Sequence, residues 1–153
     1  MNQIAELLSP ERILLDLDAA SKARLFEAVG AAFAAQGGLD ANAIATSLAA
    51  REKLGSTGLG QGIAIPHGRI KGLKDARGAF VRLAQPIPFD APDGRPVNQV
   101  FVLLVPEHAT EQHLELLSEL AQMFSERAFR ERLGAAPDAA SAWDAIRGWL
   151  PVA

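Results

Sequence analysis

The chain has 153 residues, with 18 acidic against 15 basic side chains and a formal net charge of −3. That length is most simply one domain with room for a full core, and an apolar content of 49% excludes a disordered chain. Lys and Arg are scattered, which argues against nucleic acid as a partner because phosphate-backbone binding needs a basic patch; the absence of cysteine excludes disulfides and thiolate sites and fits a reducing cytoplasm.

The N-terminus, Met1-Asn2-Gln3-Ile4-Ala5-Glu6, has neither a basic start nor an apolar run, so no signal peptide is expected. The longest apolar run, residues 28–35 with Gly30 allowed, is far below the roughly 20 residues that span a bilayer, and membrane insertion is not expected. Residues 2–8 are compatible with a short helix ending before Ser9-Pro10, and 12–17 read as a strand. Ser21 can cap a helix by accepting from its free amides. That helix runs to about Gln36, with Leu25, Val29 and Phe33 on one face, and Gly37-Gly38 ends it. Asp40 can cap the next helix, which carries Ile44 and Leu48 inward and reaches Lys53. Arg51 lies in its last turn, where a cation suits the helix dipole.

Residues 55–69 then read Gly-Ser-Thr-Gly-Leu-Gly-Gln-Gly-Ile-Ala-Ile-Pro-His-Gly-Arg. Glycines fall at 55, 58, 60 and 62. Ile63–Ile65 has the β-branched character of a buried strand, and Pro66 removes a donor and biases Ile65 towards extended geometry. The strand is therefore expected to stop at His67, leaving an imidazole at its carboxyl end beside Gly68. Two nucleotide motifs are excluded. The phosphate loop needs Gly-Lys-Ser/Thr where Gly60-Gln61-Gly62 stands, and the dinucleotide fingerprint would need a glycine at Ile63.

Residues 71–75 form a polar connection. Residues 78–84 read as a strand with Phe80 and Leu83 on different faces, and Pro86 and Pro88 mark an edge or strand end. Pro92-Asp93-Gly94 is a turn. In the strand 97–105 the second half is continuously apolar, as expected of a strand covered on both faces, and Pro106 closes it. Thr110 is a candidate N-cap for a helix over 111–124 with the stripe Leu114, Leu117, Leu120, Ala121 and Phe124. His113 then stands in the first turn, where free amides make an anion site and disfavour a further positive charge. His108 reads as a loop residue. Two more helices are expected, over 126–133 and 139–150, the last with Trp143, Ile146 and Leu150 facing the core. Strands interleaved with helices, together with one hairpin, give an α/β fold: a single domain, 1–153, with a mixed parallel/antiparallel sheet flanked by helices on both sides.

The glycine segment resembles the active-site signature of the phosphotransferase-system enzyme IIA family of the fructose/mannitol type, and most of all its nitrogen-regulatory branch. The resemblance covers almost the whole chain. It implies that His67, of Pro66-His67-Gly68, accepts a phosphoryl group from an HPr-like phosphocarrier, through Nε2. It also implies that Arg51 and His113 match the family's arginine and second histidine. The branch implies a regulator whose phosphorylation state sets its binding to target proteins such as transporters or sensor kinases.

The residue types suit that chemistry. An imidazole near its ordinary pKa of about 6.5 is largely neutral at cytoplasmic pH and can attack phosphorus. Arg51 can offset the roughly two negative charges of the incoming group, and His113 can donate a hydrogen bond to it. Thr57 can add a hydroxyl donor, and the amides around Gly60 and Gly62 can form an anion nest. No metal constellation is present and no cofactor is expected. Other readings are a sugar-specific enzyme IIA passing phosphate to a fructose- or mannitol-type permease, and a protein-binding regulatory module that is never phosphorylated. A metal- or nucleotide-binding enzyme lacks its motifs.

Overall fold

The computed structural model describes residues 2–35, 38–108 and 111–150, with the side chains of 111 and 112 left aside. The Gly37 helix stop and the Thr110 N-cap therefore lie outside the described residues.

The described chain forms six α-helices and a six-stranded mixed sheet. Helix α1 (Gln3–Glu6) is capped by Asn2, and a 3-10 turn over Pro10–Arg12 leads into β1 (Ile13–Leu17). Helices α2 (Lys22–Ala34) and α3 (Ala41–Lys53) start where expected: Ser21 accepts from the Arg24 amide, and Asp40 from the Asn42 amide. Three short strands follow, β2 (Gly58–Gly60), β3 (Ile63–Ala64) and β4 (His67–Ile70), then the long β5 (Arg77–Ile87) and β6 (Val97–Pro106). Helices α4 (Glu111–Ser125), α5 (Arg127–Ala135) and α6 (Ala139–Gly148) complete the fold.

The strand order is β1-β5-β6-β3-β2, with β4 also beside β6. β5 and β6 form the antiparallel hairpin across the Pro92-Asp93-Gly94 turn, where the Gly94 amide donates to Ala91. β1 pairs parallel with β5, and β3 and β4 pair parallel with β6. Pro86 is tolerated because it lies beyond the last β1–β5 pair, Leu17 with Leu83, in a stretch where the β5–β6 register shifts.

Two cores lie on the two faces. One packs Phe80, Phe101, Leu103 and Val105 against α1, α4, α5 and α6. The other packs Val81, Leu83, Val100, Val102 and Leu104 against α2 and α3. Phe80 and Leu83 thus face opposite ways, as the alternation of a strand dictates.

Several expectations need correction. The strand does not stop at His67: β3 ends at Ala64, and His67 begins β4. Ala64 pairs with Val100 and His67 with Leu103, so β3 and β4 continue in one register along β6, interrupted at Ile65-Pro66. Pro66 removes one donor but keeps its carbonyl, which accepts from the Leu103 amide at 3.0 Å. In α4 the buried residues are Leu116, Leu120, Met123 and Phe124, while Leu114 and Ala121 are exposed. Helix α6 ends at Gly148, so Leu150 is exposed. Trp149 is buried instead, donating from Nε1 to Glu126 at 2.7 Å.

Candidate functional site

His67 opens β4 at the middle of the sheet, where the parallel pairing with Leu103 fixes its backbone. The pairing break at Ile65-Pro66 turns the Ile65 carbonyl back towards the imidazole. His67 Nδ1 donates to that carbonyl at 3.0 Å. A neutral imidazole carries one proton, so this bond places it on Nδ1 and leaves the Nε2 lone pair unprotonated. Arg51, at the end of α3, reaches that nitrogen: its Nε donates to His67 Nε2 at 3.3 Å, and its Nη1 donates to the Gly55 carbonyl at 2.9 Å. Burial holds the His67 pKa below its ordinary value, against the opposing effect of the Ile65 carbonyl. The Arg51 charge also lowers it, and Glu52 raises it.

His113 is the third residue of α4. Its ring stands edge-on to His67 with centroids 5.3 Å apart and planes at 64°. Burial, and then the neighbouring His67 and Arg69 charges, lower its pKa as well. His113 Nε2 is buried and meets no hydrogen-bond partner among the described residues. A buried ring nitrogen without a partner is uncommon in a folded protein, and its usual explanation is a ligand, a water or a reacting group.

Thr57 is close but differently engaged. Its single hydroxyl proton goes to Glu52 Oε1 at 2.6 Å, and its amide also donates to the Glu52 carboxylate. It is therefore not a free donor facing His67. The Gly60 and Gly62 expectation fares less well still. Gly62 accepts from the Asn98 and Gln99 amides, and Asn98 lies five residues along β6 from the Leu103 that pairs with His67. At about 3.3 Å per residue that is roughly 16 Å away. The concavity made by Gly60 and Gln61, both with positive φ, is filled by the Asp93 carboxylate, which accepts from the Gln61 amide at 2.9 Å. The chain supplies its own anion there, so the glycines shape a turn and do not reach the imidazole.

Sequence reasoning missed Glu52 and Arg69. Glu52 sits beneath the glycine turn, its side chain 6% exposed, paired with Lys22 at 2.8 Å. An acid in a helix's last turn opposes the dipole, and that mismatch was the available signal. Arg69 Nη1 holds the Glu107 carbonyl just beyond β6 at 2.9 Å, and the Arg69 charge is among those that lower the His113 pKa. No group of residues suited to a metal ion occurs among the described residues, and no helix there is long and apolar enough to cross a membrane.

The arrangement is a neutral imidazole with a directed lone pair, flanked by a guanidinium and a second imidazole at a helix start. Comparison with known proteins is consistent over nearly the whole length. Residues 6–148 match the family model described as "Phosphoenolpyruvate-dependent sugar phosphotransferase system, EIIA 2". The chain is 44% identical over 147 residues to a nitrogen regulatory protein of Pseudomonas aeruginosa, covering 95% of this chain and 96% of that one. It is 38% identical over 143 residues to a nitrogen regulatory protein of Bradyrhizobium diazoefficiens, covering 94% of each. The crystal structure of the nitrogen regulatory protein IIA-Ntr from Neisseria meningitidis superposes with a TM-score of 0.89 at 49% identity, covering 95% of this chain and 99% of that one. The chain belongs to the EIIA 2 family of the phosphoenolpyruvate-dependent phosphotransferase system and is similar to its nitrogen regulatory, IIA-Ntr members.

Proposed function

We propose that this protein is a cytoplasmic phosphohistidine carrier and regulator of the nitrogen phosphotransferase system, working as one domain over residues 1–153. It accepts a phosphoryl group on His67 from an HPr-like carrier and signals through its phosphorylation state to targets such as transporters or sensor kinases. The observation that carries the reading is the His67 tautomer. With Nδ1–H donated to the Ile65 carbonyl, the Nε2 lone pair is available for attack. That lone pair forms the new N–P bond as the bond between phosphorus and the donor's imidazole breaks. The departing electron pair returns to the donor nitrogen, and the His67 proton stays on Nδ1. Transfer of this kind needs positioning and charge stabilisation from the protein. Arg51 shifts from the lone pair onto the phosphoryl oxygens with its fork of donors. His113 Nε2 then gains, as donor to a phosphoryl oxygen, the partner it lacks among the described residues.

The names of the relatives at high coverage support the regulatory role over a sugar-specific one. The test is intact-protein mass after incubation with phosphoenolpyruvate, enzyme I and the HPr-like carrier. One acid-labile phosphoryl is expected on the wild type and none on His67→Ala, with slowed labelling of His113→Ala and Arg51→Ala. An unlabelled wild type beside an active donor would leave a binding module. Onward transfer to a fructose- or mannitol-type permease component would establish the sugar-specific alternative.

A further inference from the structure

We propose that Glu52 is a positioning residue for His67: its buried carboxylate fixes Thr57, and through Thr57 the carbonyl that holds the proton of the imidazole. The proposal rests on the carrier reading above and assigns a part of the machinery that reading does not use.

The argument follows the hydrogen bonds outward. Glu52 Oε1 accepts the Thr57 hydroxyl at 2.6 Å, and Oε2 accepts the Thr57 amide at 3.1 Å and the Lys22 ammonium at 2.8 Å. Two paths lead on from Glu52, one from its carboxylate and one from its main chain. In the first, the Thr57 carbonyl accepts the Ile65 amide at 3.0 Å, and the Ile65 carbonyl accepts His67 Nδ1–H at 3.0 Å. In the second, the Glu52 carbonyl accepts the Gly55 amide at 3.2 Å, and the Gly55 carbonyl holds Arg51 Nη1 at 2.9 Å. Residues 55–57 are thus a short bridge whose position sets both the proton on the imidazole and the donor aimed at its lone pair. Besides the glycine turn and the Arg51–Gly55 bond, the bridge is tied to α3 by the Glu52 carboxylate.

The alternative is that Glu52 merely neutralises Lys22. That account leaves the two Thr57 bonds unexplained. It also places an acid at the negative end of the α3 dipole, where a carboxylate is disfavoured. A carboxylate that accepts an amide, a hydroxyl and an ammonium at once has its rotamer over-determined, which is what a positioning element requires. Release of the bridge lets the Ile65 carbonyl drift. The imidazole then exchanges between tautomers, and the fraction with a free Nε2 falls.

The test uses the full chain with Glu52→Ala, Glu52→Gln, Thr57→Val and Thr57→Ser, and two readouts. Nitrogen NMR of the His67 ring reports the tautomer and needs no phosphoryl donor. Phosphorylation by the HPr-like carrier, measured across carrier concentrations, separates kcat from KM. Glu52→Ala is expected to populate both tautomers and to lower kcat about 100-fold, the cost of a misplacement near one ångström, with KM for the carrier little changed. Glu52→Gln retains an acceptor for Thr57 and falls between Ala and the wild type. Thr57→Val behaves as Glu52→Ala does, in smaller measure, and Thr57→Ser recovers most of that loss. A folded Glu52→Ala with the wild-type tautomer and rate overturns the proposal. If Glu52→Ala does not fold, Glu52→Gln and Thr57→Val decide it, and both at wild-type values overturn it. Failure of the wild type to accept phosphate would sink the carrier reading, while the tautomer measurement would still decide the role of Glu52.

Discussion

At the scale of single residues the site is built to keep imidazoles neutral. Burial lowers the pKa of both His67 and His113 from the ordinary 6.5. The consequence for stability has a definite sign. Above the ordinary value both folded and unfolded chains carry these rings neutral, and their contribution to stability is complete. As pH falls through 6.5 towards the lowered folded values, the unfolded chain takes up protons first and the native state loses ground. The urea midpoint of the wild type should therefore fall between about pH 7.5 and pH 5.5, above the range where carboxylates titrate. A His67→Gln/His113→Gln double variant should show a clearly smaller fall over the same interval. An equal fall in both would place the linkage elsewhere. The Ile65 hydrogen bond opposes burial at His67. A variant that loosens that bond should lower the His67 pKa further, visible as ring signals that shift only at lower pH on titration.

At the scale of elements, Gly68 shows why the motif ends as it does. A Cβ there would stand 2.5 Å from Ser47 Oγ on α3, and that hydroxyl is held in place by its bond to the Arg69 carbonyl at 3.1 Å. Helix α3 can carry Arg51 to His67 only because β4 has no side chain at this crossing. Gly68→Ala should cost about 1–3 kcal/mol, the usual penalty of overpacking, with His67 ring signals displaced. Adding Ser47→Ala should recover much of both in thermal melts and NMR spectra. No recovery would mean that the backbone itself resists the substitution. This part of the molecule was legible from sequence: proline, histidine and glycine in that order imply a missing donor, an imidazole at a break in the strand and a close approach beside it. The phase of α4 was not. Seven apolar residues between 114 and 124 allow more than one stripe, and the reading that began at Leu114 put that residue inward. In the structure the buried positions 116, 120, 123 and 124 continue a line that starts at His113. Treating His113 as the first member of the stripe would have given the right phase and would have pointed its ring at the sheet.

For the molecule as a whole, the question is whether two cores make one folding unit. Strand β6 is common to both, since Leu103 faces the α1/α4/α5/α6 layer and Leu104 the α2/α3 layer, each fully buried. Its continuous apolar second half was readable as a strand covered on both faces. Which helices covered which face was not, because that depends on contacts between distant segments. Arg82 illustrates the difficulty. From β5 it pairs with Asp16 in β1 and caps the carbonyls of Leu133 and Ala136 at the end of α5, and nothing local marks it as such a clamp. A shared strand and cross-layer ties of this kind imply cooperative unfolding. Leu103→Ala and Leu104→Ala should each destabilise the protein by about 2–5 kcal/mol, the range for a buried leucine truncated to alanine. The informative readout is amide hydrogen exchange in the helices. Each substitution cuts a different face, yet protection should fall in parallel in α2, α3, α4 and α6 for both variants. Loss confined to the helices on the truncated face would show that the layers open separately. In that case His67, which pairs with Leu103, could be disturbed from one side of the sheet while Arg51 on the other side held its place.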